Sequence, residues 1–108
     1  MAVLVVEDNV LLRMVESDTF RDHGLFVYEA ESFVQAISIL DHTKDVCALF
    51  TDVQLHGIGN GLALAHYAYR KNPHIAVFIT SGRILRRKLI YLTEPDLSLS
   101  RTTHQTSA

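Results

Sequence analysis

The chain has one cysteine, Cys47, and so no internal disulfide framework. Cys47 lies in a strand pattern, where a thiol packs more readily than it reacts, and a reduced, cytoplasmic setting is expected. No apolar run approaches the roughly 20 residues that a membrane helix needs. No signal peptide is visible, because acidic Glu7 and Asp8 follow directly on Ala2–Val6. The six histidines are scattered, with no pair at metal-ligand spacing on one element. Gly57, Gly59 and Gly61 make a flexible loop, and no Lys-Ser/Thr pair follows to turn it into a phosphate-binding P-loop. The basic cluster Arg83, Arg86, Arg87 and Lys88 has no DNA-binding motif beside it and reads as a solvated helix face. Internal repeats and an interdomain linker are missing too. These absences argue against membrane and nucleic-acid partners.

What is present is a single-domain length of 108 residues with 48% apolar and 20% charged residues, enough for a modest core. Residues 2–6 are continuously apolar, as parallel strands covered on both faces are. Asn9 can cap a helix over about 10–22, stopped by Gly24, with Leu12, Val15 and Thr19 as its inner stripe. Residues 25–30 read as a second strand. Ser32 caps a second helix, whose Phe33, Ala36, Ile37 and Leu40 follow i, i+3, i+4, i+7. Residues 47–51 and 75–79 are further strands, separated by a helix over about 61–71 that Asn72-Pro73 ends. Strands alternating with helices predict a doubly wound parallel α/β sheet, whose ligand sites lie outside the strands' carboxyl ends.

Three strand patterns stop on polar groups at that rim. The first ends on Glu7-Asp8, the third on Asp52 and the fourth on Thr80-Ser81. Clustered carboxylates repel, and a hard divalent cation with oxygen ligands, typically Mg²⁺, is the usual means of holding them together. The segments Val3–Asn9, Thr51–Leu55 with Gly57 and Gly61, and Phe78–Gly82 resemble, in that order, the response-regulator receiver family. The resemblance covers residues 2–82. It implies a flavodoxin-like strand order 2-1-3-4(-5) and a phosphorelay function. Asp52 then matches the phosphoacceptor, Asp8 a direct metal ligand, and Glu7 a ligand acting through water. The backbone carbonyl of Gln54 completes the protein's share of a Mg²⁺ site. Thr80 matches the hydroxyl that bonds a phosphoryl oxygen, with Ser81 as a nearby substitute. The donor would be a histidine kinase or histidine phosphotransfer protein. Activity would be limited to self-phosphorylation and autodephosphorylation at Asp52, with output through partners. An aspartate-nucleophile phosphohydrolase usually carries a second acid two residues after the nucleophile, where this chain has Gln54.

The sequence departs from the family after Gly82. Residues 1–82 hold five Lys/Arg against ten Asp/Glu; residues 83–108 hold five against two. The family's lysine before a proline is replaced by Glu94 in Tyr91–Pro95, only 14 residues after Thr80. Residues 83–92 fit an amphipathic helix with Leu85, Leu89 and Leu92 on one side, so strand five and the last helix are expected to be missing. The domain would span 1–92, and the Ser/Thr-rich stretch 93–108 would be a disordered tail. Two origins stay open: a divergent or truncated receiver, or a reading frame shifted after Gly82. A pseudo-receiver, binding partners without phosphorylation, stays open as the alternative function. Strand four would be an exposed sheet edge, which invites a homodimer.

Overall fold

The computed structural model describes residues 1–55, 57, 59–81 and 88–91, with Ser81 and 88–91 described by backbone alone. In chain order the elements are β1 (Ala2–Val6), α1 (Val10–Asp22), β2 (Phe26–Ala30), α2 (Phe33–His42), β3 (Val46–Asp52), α3 (Gly61–Lys71), β4 (Ala76–Ser81) and β5 (Lys88–Tyr91). They form one sheet in the order β2-β1-β3-β4-β5, parallel through β4. The expected 2-1-3-4 order of a doubly wound sheet is therefore present.

The local signals act as the sequence suggests. Asn9 Oδ1 accepts from the Leu12 N–H at 2.9 Å, Ser32 Oγ from the Gln35 N–H at 3.1 Å, and Asn60 Oδ1 from the Ala63 N–H at 2.9 Å. Each cap satisfies an orphan donor and contributes about 1 kcal/mol. Gly24, at φ +83°, supplies the left-handed turn that stops α1. β1 is wholly buried because both of its faces are covered. Leu4 and Val6 join Leu49, Leu64, Val77 and Ile79 in the larger core under α2 and α3. Val3 and Val5 join Val27 in a smaller core, packed by Phe20 and Phe50. At the end of the sheet away from the carboxyl rim, the Tyr67 hydroxyl donates to Asp41, whose carboxylate also lies 3.0 Å from Lys71 Nζ. These two partners tie α2 to α3 and hold the Asp41 carboxyl below its usual range.

The inner face of α1 is not the expected one. Val15 is 61% exposed and Thr19 is exposed, whereas Ser17 is fully buried and Phe20 packs edge-on against Phe50 at 5.4 Å. On the face toward β2, Arg13 and Arg21 both reach Glu29, at 3.2 and 3.0 Å. Of the expected stripe, only Leu12 is half-buried. On the α1 side of the sheet, Ala48, Phe50, Ala76 and Phe78 are only half-buried.

The end of the sheet also differs from expectation. Lys88–Tyr91 is not part of a helix over 83–92; it is a strand antiparallel to β4, with Thr80 opposite Leu89 and Ser81 opposite Lys88. A parallel crossover needs about a dozen residues or more, and only six lie between Ser81 and Lys88. That gap rules out a parallel fifth strand but is long enough for a reversal. β4 is consequently not the open edge that the sequence suggested. Leu85, Leu92 and the expected tail over 93–108 lie outside the described residues.

Two substitutions test this packing. Ser17 Oγ is buried without a hydrogen-bond partner in the protein. Ser17→Ala should raise stability by about 1 kcal/mol, by removing an unsatisfied hydroxyl and improving helix propensity; an unchanged or lower melting temperature would contradict this. Gly61 opens α3 so close to β3 that a Cβ there would overlap the backbone of Asp52 and Val53. Gly61→Ala should cost about 1–3 kcal/mol in thermal denaturation, since backbone rather than a flexible side chain must yield.

Candidate functional site

Parallel pairing brings the polar ends of β1, β3 and β4 to one rim. The Glu7 N–H still bonds the Ala30 carbonyl at 3.0 Å, so the chain leaves the sheet only after Glu7. Asp52 is the last residue of β3 and lies in register with Thr80 of β4. Glu7, Asp8 and Asp52 each present a carboxylate oxygen, and these oxygens all lie within 4.8 Å of one another. Glu7 is 2% exposed; Asp8 and Asp52 are half-buried.

Two unit charges at that separation repel by about 3 kcal/mol at an effective dielectric constant of about 20. The protein sets several groups against this repulsion. The Asn9 N–H donates to Glu7 Oε2 at 3.0 Å, and Arg13 Nη1 donates to the Glu7 carbonyl at 2.8 Å. Arg13 is a residue that the sequence reading did not single out. Three carboxylates at one point form a hard, all-oxygen donor set, which suits a divalent cation of the Mg²⁺ or Ca²⁺ type. The cluster is thus able to coordinate such an ion.

The backbone around Asp52 is fixed from three directions. Thr51 Oγ1 donates to the Asp52 carbonyl at 2.9 Å, the Val53 N–H to the Thr80 carbonyl at 2.8 Å, and the Gly61 N–H to the Val53 carbonyl at 2.8 Å. Thr80 is 5% exposed, and its Oγ1 has no hydrogen-bond partner in the protein. Register puts it on the same sheet face as Asp52. A buried hydroxyl left without a partner costs about 1–3 kcal/mol of stability. Ser81 ends β4 one residue beyond, opposite Lys88 in the backbone register. Gln54 follows Asp52 by two residues with its side chain exposed. The structure therefore brings together Glu7, Asp8 and Asp52, with Thr80 alongside.

Residues 3–92 match the response regulator receiver domain family. Solved structures agree in fold. A response regulator receiver protein from Sinorhizobium medicae WSM419 is 23% identical with a TM-score of 0.73, over 77% of this chain and 67% of that one. The receiver domain of the hybrid histidine kinase CckA is 28% identical with a TM-score of 0.66, over 73% of each chain. The response regulator TrrA from Thermotoga maritima is 18% identical with a TM-score of 0.70, over 94% of this chain and 79% of that one. The chain spans 66% of a receiver domain protein from Clostridium thermocellum, about two thirds, as for the Sinorhizobium protein. No curated protein matches. With the family match running over most of its length, and with the sheet order and acidic rim in agreement, the chain belongs to the response regulator receiver domain family.

Proposed function

We propose that the chain accepts a phosphoryl group on Asp52 from the phosphohistidine of a histidine kinase or histidine phosphotransfer protein. The observation that carries this reading is the meeting of Glu7, Asp8 and Asp52 within 4.8 Å at the strand ends. In the transfer, an Asp52 carboxylate oxygen attacks phosphorus and the P–N bond to imidazole breaks. The electron pair returns to the ring nitrogen, and Asp52 becomes a mixed acyl phosphate. Mg²⁺, held by Asp8, Asp52 and the Gln54 carbonyl, with Glu7 acting through water, would supply positive charge against the phosphoryl oxygens. The chain's own residues do the rest. Glu7 and Asp8 collect the cation, and the bonds of Thr51 and Gly61 hold the Asp52 backbone in place. Thr80 gives its unpartnered hydroxyl to a phosphoryl oxygen, with Ser81 as the substitute.

Relatives support the same use. A Burkholderia pseudomallei response regulator carries a phosphorylated aspartic acid with a calcium ion, and the Thermotoga maritima regulator was solved with Mg²⁺ and BeF. The competing reading, a pseudo-receiver that binds partners without phosphorylation, draws on β5. That strand runs antiparallel, and Glu94 stands where the family has lysine. No helix among the described residues is long and apolar enough to cross a membrane, and the proposed setting is cytoplasmic.

A homodimer also belongs to this proposal, on different grounds from a bare β4 edge. Val10, Leu11, Met14 and Val15 of α1 are each more than half exposed. A second copy covering this face would remove apolar surface from water.

Two measurements test these readings. Acetyl phosphate with Mg²⁺ should add one phosphoryl group by intact mass spectrometry, and Asp52→Asn should abolish it with the fold retained. No labelling of the wild type would favour the pseudo-receiver, and labelling that survives Asp52→Asn would move the site elsewhere. In sedimentation at micromolar concentration, the wild type should be dimeric and Leu11→Glu/Val15→Glu monomeric; a well-folded wild-type monomer would remove the dimer.

A further inference from the structure

We propose that Arg13 is a positioning residue for the acidic pair and sets the affinity of the cation site. The inference rests on the phosphoryl-acceptor reading for the site's purpose, but its geometric part stands apart from it. Arg13 lies one turn into α1, its N–H bonded to the Asn9 carbonyl at 2.9 Å. Its side chain is 16% exposed and turns back on the loop that precedes its own helix. Nη1 donates to the Glu7 carbonyl at 2.8 Å, while Nε donates to Glu29 Oε1 at 3.2 Å. One guanidinium thus joins the end of β1, the start of α1 and the carboxyl-terminal part of β2.

The Glu7 carbonyl is where this matters. It belongs to the peptide joining Glu7 to Asp8, so a bond to it fixes the plane from which both carboxylates depart. Repulsion among Glu7, Asp8 and Asp52 drives these groups apart when no cation is present. A rotation of this peptide would relieve that repulsion and scatter the donor set. Arg13 blocks the rotation from the backbone side, and the Asn9 N–H restrains Glu7 Oε2 from the other at 3.0 Å.

Arg13 does this without spoiling the site's charge. A guanidinium beside a cation site ordinarily weakens it. Here Glu29 takes the charge of Arg13 and also bonds Arg21 at 3.0 Å, and Asp18 lies 3.5 Å from Arg21. Two cations and two anions make a neutral set, so Arg13 acts on the cluster mainly by direction. That requires a planar fork with donors in two directions, which lysine does not offer.

The test uses the full chain and Mg²⁺ alone, by titration calorimetry. Arg13→Ala should weaken Mg²⁺ binding by about tenfold, the lower end of the range for residues that orient metal ligands. Arg13→Lys, which keeps the charge, should fail to restore it. Glu29→Gln keeps an acceptor but leaves the guanidinium uncompensated; binding should weaken a few-fold, and the loss should shrink as salt rises. In metal-free protein, Arg13→Ala should lower the hydrogen-exchange protection of the Asn9 amide relative to the other α1 amides. Equal Mg²⁺ affinity in wild type and Arg13→Ala would overturn the proposal, as would rescue by lysine, an unaffected Asn9 amide, or a Glu29→Gln protein indistinguishable from wild type. If the wild type itself neither binds Mg²⁺ nor becomes labelled, the phosphoryl-acceptor reading fails instead, and the Asn9 amide still decides whether Arg13 positions the pair.

Discussion

Mutual repulsion of three carboxylates is the constraint around which this molecule is arranged. β1 and β3 are neighbours and run the same way, so Glu7-Asp8 and Asp52 must finish side by side. The fold cannot relax this without breaking the parallel register that buries Leu4, Val5, Val6 and Leu49. The repulsion therefore stays at the rim, set against the Asn9 N–H on Glu7 and the Arg13 guanidinium on the Glu7 carbonyl. The buried Thr80 hydroxyl lies at the same rim without a hydrogen-bond partner in the protein. Sites of this kind give up stability for readiness to bind.

The far side of the sheet shows a second constraint, that of chain length. With six residues between Ser81 and Lys88, no crossover helix fits and β5 must come back antiparallel. β4 is thereby paired on both sides, and Asp52 sits on the central strand, two strands from either edge of the sheet. On the α1 side, however, the sheet beyond β1 is thinly covered. Phe50 and Phe78 are half-buried there, and Leu11 and Val15 of α1 are exposed.

Much of the site was legible because it follows from where apolar runs stop. A continuous buried strand leaves no ambiguity about its ends, and the caps Asn9 and Ser32 fix the helices that follow. The inner face of α1 was not legible. Its buried positions are filled by Ser17 and, in part, by Arg13 and Glu16, so hydrophobic periodicity selected the wrong stripe. Arg13 itself has meaning through the Glu7 carbonyl and through Glu29, 16 residues away on β2. The direction of β5 was half legible. Loop length ruled out a parallel strand, but Leu85, Leu89 and Leu92 also fit a helix, and local pattern alone does not choose between them.

Repulsion within the carboxylate cluster should lower the stability of the cation-free protein, and a divalent cation should relieve it. Thermal stability measured with and without Mg²⁺, for wild type and Asp8→Asn, tests it most directly. Asp8→Asn should melt at a higher temperature than wild type in chelator, because one repelling charge is gone. Mg²⁺ should raise the melting temperature of the wild type but leave the variant nearly unmoved. A destabilised Asp8→Asn in chelator, or an equal Mg²⁺ response in both proteins, would contradict it.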